Sequence, residues 1–147
     1  MPLRMVEARV YVHATENRDK VVRALMETSP GDLRGKVSIS EETYEGHYGN
    51  PILVITGVLE GGEEALSTLV HIASRLPGHD LGYLLSTLED RVNREGALYI
   101  RLGKQEAYLG RLRILESDDV VRVIFRFSGG RRRALEEYRR LLGGVRG

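Results

Sequence analysis

The chain has 147 residues, 41% hydrophobic and 29% charged, with a net charge of +1 and no cysteine. That balance suits one soluble domain with a single core, and the lack of thiols excludes disulfides, thiolate nucleophiles, iron–sulfur clusters and the usual structural zinc sites. No apolar run reaches the roughly 18 residues of a membrane span, and Met1-Pro2-Leu3-Arg4 leads straight into strand-like alternation; no signal peptide or membrane is expected, and the cytoplasm is the default compartment.

Residues 5–14 alternate, with Val6, Ala8, Val10 and Val12 on one face and Glu7, Arg9, Tyr11 and His13 on the other, which predicts a half-buried strand. Thr15 or Asn17 can cap the helix signalled by Val21, Val22, Leu25 and Met26, and Pro30-Gly31 stops it. Residues 36–44 and 51–59 are rich in β-branched side chains and flank the turn-forming stretch 45–50, so a hairpin with a long loop is expected. After Gly61-Gly62 come the stripe Leu66, Leu69, Val70, Ala73 and Leu76 and, beyond Pro77-Gly78, the stripe Leu81, Leu84, Leu85, Leu88 and Val92, which predict two consecutive helices.

Residues 97–102 return to strand character, 104–109 form a helical turn, and 111–115 are short and extended. The clearest strand follows, with Val121, Val123, Phe125 and Phe127 on one face and Arg122, Ile124 and Arg126 on the other. Ser128-Gly129-Gly130 ends it, and Leu135, Tyr138, Leu141 and Leu142 predict a last helix after Arg131-Arg132-Arg133. About five strands and four helices in mixed order predict an α+β fold, a mostly antiparallel sheet with helices packed on one face. One domain is expected over residues 1–142, including an Arg-rich helix at about 131–142, with a loose tail at 143–147.

Charge is unevenly spread: residues 1–90 carry 8 Lys/Arg against 14 Asp/Glu, and residues 91–147 carry 14 against 7. The basic half is nearly all arginine, whose planar fork suits phosphate and stacks on bases. Arg122 and Arg126 on one strand face, with Arg101, Lys104, Arg111 and Arg113 in neighbouring segments, can form a basic surface if those segments lie side by side. Cross-strand pairing with Glu7, Glu41 or Glu60 is the competing use of those arginines. Arg131, Arg132 and Arg133 oppose the dipole of their helix, a conflict that a bound anion would relieve. In the loop, His47 and Tyr48 can stack on a base where glycines let the backbone approach. No metal-ligand spacing, nucleotide-binding loop or nucleophile motif is present. No cofactor and no metal are therefore expected, and the only catalytic arrangement to weigh is a phosphodiesterase pair of His13 and His47.

Two segments carry a family resemblance: Glu45-Gly46-His47-Tyr48-Gly49-Asn50-Pro51-Ile52, and Leu98-Tyr99-Ile100-Arg101 through Lys104-Gln105-Glu106-Ala107-Tyr108-Leu109-Gly110. Together with residues 8–16 and 84–92 they resemble an archaeal RNA-binding family described as predicted exosome subunits, with a fold like that of ribosomal protein L5, over about residues 5–127. The resemblance implies an α+β domain near RNA-processing or ribosome-related machinery and transfers no active site. The sequence-level expectation is a non-catalytic RNA-binding accessory domain that uses these arginines on phosphates. The alternative is a subunit of an RNA-processing complex that binds protein and does not touch RNA.

Overall fold

A computed structural model describes residues 2–145. The opening alternation forms β1 (Leu3–Val12), the central strand of a five-stranded sheet. Helix α1 (Arg18–Met26) starts where the Asn17 side chain accepts a hydrogen bond from the Lys20 amide at 3.2 Å. This choice of Asn17 follows from its extended backbone, which leaves its oxygen free to satisfy an orphan amide of the first turn. A 3-10 turn at Gly31–Lys36 leads into the hairpin of β2 (Ser38–Glu45) and β3 (Pro51–Glu60). Gly57 of β3 makes room for the helical layer, because a Cβ there would meet Leu25 Cδ2 at 2.8 Å and Val37 Cγ1 at 2.9 Å.

Three helices follow, α2 (Gly62–Arg75), α3 (Gly78–Ser86) and α4 (Leu88–Arg91). The second expected helix is thus broken in two. At Thr87 the backbone leaves helical geometry (φ −111°, ψ 12°) while its hydroxyl donates to the Tyr83 carbonyl at 2.7 Å, closing α3 and opening α4. The chain then gives β4 (Leu98–Gly103), the short α5 (Lys104–Tyr108), β5 (Val120–Phe127) and α6 (Gly130–Gly144). Helix α6 continues through Gly143 and Gly144, into the expected tail, and residues 146–147 lie outside the described residues.

The sheet order is β2-β3-β1-β5-β4, with every neighbouring pair antiparallel. Residues 111–115 run beside β4 as a partial sixth strand, tied by the Leu102–Ile114 bridge and by hydrogen bonds from Gly103 N to Arg113 O (2.9 Å) and from Leu115 N to Arg101 O (3.2 Å). The helices cover one face, where Val10, Ile55, Ile100 and Phe125 meet Leu25, Leu69, Leu84 and Tyr138 in one buried cluster. The α+β class, the antiparallel sheet and its single helical layer agree with the expectation from sequence. Tyr138 is buried against Phe127 (centroids 5.6 Å apart), its hydroxyl donates to Gly96 O at 3.0 Å, and burial raises its pKa. Gly96 itself has φ +99°, and a Cβ there would come within 3.0 Å of Ala134 and of the Gly130 carbonyl. Among the described residues no helix is long and apolar enough to cross a membrane.

Candidate nucleic-acid interface

With one face of the sheet buried, the alternate residues of each strand stand on the other face in cross-strand rows. Register puts Arg9 of β1 opposite Arg122 of β5, and Arg122 opposite Arg101 of β4. Three guanidinium side chains therefore share one row over three adjacent strands. The next row is Tyr99, Ile124 and Glu7, and beyond it Arg126 faces Met5. The four arginines, with Tyr11, Tyr99 and Ile124, line a concavity of about 400 Å³ whose floor is aliphatic and whose rim is cationic.

The charges on this face are incompletely matched. Glu7 is 8% exposed and accepts from Arg126 through Nε (2.9 Å) and Nη2 (2.7 Å), with Arg9 Nη2 3.3 Å away. Donation of its guanidinium hydrogen bonds to Glu7 raises the pKa of Arg126. Arg122 has no such partner: its nearest carboxylate is Asp118, at 3.9 Å and 98% exposed, where water screens the pair. Its guanidinium lies 5.6 Å from the centre of the Tyr11 ring, and its Nε–H is buried with no hydrogen-bond acceptor among the described residues. Arg101 reaches only the Glu116 carbonyl, at 3.5 Å. Of the four arginines only Arg126 and Arg9 reach the one buried carboxylate, and like charges directly opposite one another destabilise a sheet by about 0.2–1 kcal/mol per pair. An anion placed over the row would reverse the sign of that term.

A second concavity of about 310 Å³ adjoins the first and shares Tyr99 and Arg101 with it. Here Arg91 lies 5.4 Å from the Tyr83 ring centre, donates to Thr87 Oγ1 at 2.7 Å and pairs with Glu116 at 2.7 Å.

The residues singled out from sequence divide into separate groups. Arg101, Arg122 and Arg126 do come together. Lys104 does not join them: it is 3% exposed, and its ammonium donates to Tyr11 O (3.0 Å) and Glu16 (2.8 Å) and pairs with Asp119 (2.8 Å), leaving no N–H for a phosphate. Arg113 is bound to the buried Asp80 at 3.0 Å, and the Ile114 amide donates to the same carboxylate at 2.9 Å. Burial alone would raise the Asp80 pKa, but the hydrogen bonds from Arg113 and Ile114 outweigh it and hold the group below the usual carboxylate range. Arg111 is exposed on the same partial strand.

Arg131 caps α4, donating to Val92 O (3.2 Å) and Glu89 O (2.7 Å). Arg132 faces Glu136 at 3.9 Å, and Arg133 is exposed one residue further on. All three sit on α6, in the helical layer across the sheet from Arg9 and Arg122. Tyr48 is fully exposed at the hairpin tip with φ 63°, beside the β2 edge and away from the arginine row, while the side chain of His47 lies outside the described residues. Arg9, Tyr11 and Tyr99 were not among the sequence candidates. Alternation had already placed Arg9 and Tyr11 on the outer face of β1, but only cross-strand register sets them beside Arg122.

A family model described as RNA binding matches residues 5–127. A protein of Pyrococcus abyssi named as RNA-binding is 34% identical over 119 residues, which is 80% of this chain and 77% of that one. An uncharacterised protein of Methanocaldococcus jannaschii is 34% identical over 129 residues, 86% of this chain and 85% of its own. The crystal structure of a protein from Archaeglobus fulgidus superposes with a TM-score of 0.82 at 31% identity, covering 95% of this chain and 99% of that one.

Proposed function

The chain belongs to this RNA-binding family, and on that premise we propose that it is a non-catalytic accessory domain of archaeal RNA processing, in exosome or ribosome-related machinery, that holds RNA phosphates on the open face of its sheet. The observation that carries the reading is the Arg9–Arg122–Arg101 row, whose charges exceed the carboxylates beside them. Guanidinium groups stay protonated and present a planar fork of donors, so they suit phosphate binding and are poor proton-transfer groups, which supports a role in binding without chemistry.

The test is fluorescence anisotropy with labelled RNA over a range of salt. Replacing Arg9 and Arg101 together by Gln removes two cations, and the slope of log K against log salt is expected to fall in magnitude by about 1.4, from roughly 0.7 per phosphate contact on single strands. Replacing Arg132 and Arg133 by Ala, on the other side of the sheet, is expected to leave the slope unchanged. The reverse pattern would move the interface to α6.

One observation favours a second reading, docking of a protein partner. All eight residues of β2 are exposed, and this edge strand carries Glu41, Glu42 and Glu45 beside unpaired backbone groups, a template for a basic extended segment. Capture of a partner that survives nuclease treatment and is lost when Glu42 and Glu45 become Lys would support it.

A further inference from the structure

We infer that the concavity on the open sheet face is a slot for one unpaired nucleotide, with the base stacked on Tyr99 above Ile124 and its phosphate held by Arg122 and Arg101. The inference rests on the RNA-binding reading and adds to it the class of RNA. Tyr99 stands directly opposite Ile124 across the β4–β5 pair, so an aromatic ring and an aliphatic surface form one continuous apolar patch. The guanidinium row borders that patch two residue pairs away along the strands, the next pair on the same face, where Arg122 faces Arg101. A base and its own phosphate are separated in the same sense, an apolar face beside an anion.

The unmatched donor points the same way. Among the described residues the Nε–H of Arg122 is buried without an acceptor, which leaves its desolvation uncompensated in the unliganded protein. A phosphate oxygen over the row would draw the fork toward it and supply acceptors. Stacking needs an exposed base face, which a duplex hides between its neighbouring pairs, so the slot selects single strands. A route for the next nucleotide exists: the adjoining concavity shares Tyr99 and Arg101 and holds another ring beside a guanidinium, Tyr83 with Arg91.

The experiment compares a single-stranded RNA with a duplex of the same sequence, using wild type, Tyr99→Leu and Tyr99→Phe. Tyr99 is 40% exposed, and an unchanged melting temperature verifies that each variant is folded. The single strand is expected to bind at least tenfold tighter than the duplex. Tyr99→Leu is expected to weaken single-strand binding about tenfold without altering its salt slope, while Tyr99→Phe retains it. Photocrosslinking of a bromouridine-substituted single strand is expected to label the peptide containing Tyr99. If RNA binds but the duplex matches the single strand, or Tyr99→Leu costs nothing, the slot is wrong and the RNA-binding reading stands. Failure of every RNA to bind at low salt overturns both.

Discussion

Arg122→Met should stabilise the free protein while weakening its hold on RNA. The methionine Cε occupies the place of arginine Nε, so the substitution exchanges a buried, unsatisfied N–H for a methyl and leaves the aliphatic stem in place. Removing the orphan donor is worth about 1 kcal/mol at the lower end of the usual range. Two like-charged cross-strand neighbours, Arg9 and Arg101, are relieved at roughly 0.5 kcal/mol each. Against this stands the loss of the contact with the Tyr11 ring, about 0.5–1 kcal/mol. The net gain is about 1 kcal/mol, which for a chain of this size raises the melting temperature by roughly 2–4 °C. Calorimetry without RNA measures that shift, and anisotropy at two salt concentrations measures the accompanying loss of affinity. A variant that melts lower than wild type would show that Arg122 acts as a strut of the sheet, and the claim that the row is held against its own repulsion would be refuted.

Lys104→Met should do the opposite, because it strands Glu16 and Asp119 around a buried methyl. Both carboxylates keep some contact with water, so a cost of about 2 kcal/mol is expected, less than for a fully enclosed pair, with RNA affinity per folded molecule unchanged. Asp80→Asn weakens the clamp on residues 111–115, and hydrogen exchange should show loss of protection at Ile114, whose amide donates to that carboxylate. Stability should also fall with acid. Burial lowers the His71 pKa from 6.5, so protonation favours the unfolded chain, and that contribution is lost as pH falls below about 6.5. The hydrogen bond from Lys104 lowers the Asp119 pKa, while at Glu16 burial raises the pKa but donors from Lys104 and the His13 amide prevail. Together with Asp80, these carboxylates stabilise the fold fully above about pH 5 and lose that effect as pH drops through their depressed folded values. Thermal unfolding followed from pH 9 to pH 3 should be flat at first and then decline, more shallowly in Lys104→Met; a melting temperature that rises toward pH 5 would contradict this.

The alternation of β1 and β5 was legible because a sheet covered on one side writes a two-residue period into each strand, and both faces of each strand follow from it. The hairpin was legible for similarly local reasons, and the cap was narrowed to Thr15 or Asn17, of which the structure uses Asn17. The break at Thr87 was not, since Leu81 to Val92 keep a helical stripe across it and the hydroxyl that ends α3 is a weak sequence signal. The site was half legible. Arg101, Arg122 and Arg126 were found as charges on strands, but Lys104 looked the same in the sequence and proved to be buried among acceptors contributed by β1, the following loop and the residue before β5. Arg9 lies in the acidic half of the chain, where segment charge does not single it out. Segment charge cannot show that β1 sits in the middle of the sheet, next to β5.

That placement also explains why the face is polarised. Going from β4 through β5 to β1, the outward residues include Arg101, Arg122, Arg126 and Arg9; going on to β3 and β2 they become Thr56, Val58, Ser40 and Glu42. The boundary falls at β1, where Glu7 holds Arg126 and Arg9 from below. A polyanion lying over the whole sheet would meet Glu42 at the β2 edge, so repulsion there and attraction at β4 confine it to three strands. In the neighbouring concavity at the β4 side the charges balance, with Arg91 and Arg101 against Asp90 and Glu116. On the proposed reading RNA lies over β1, β5 and β4, which would leave the exposed β2 edge open to a protein partner. Occupancy of the two surfaces should therefore be independent, and a partner that docks on β2 should leave the RNA affinity of the domain unaltered.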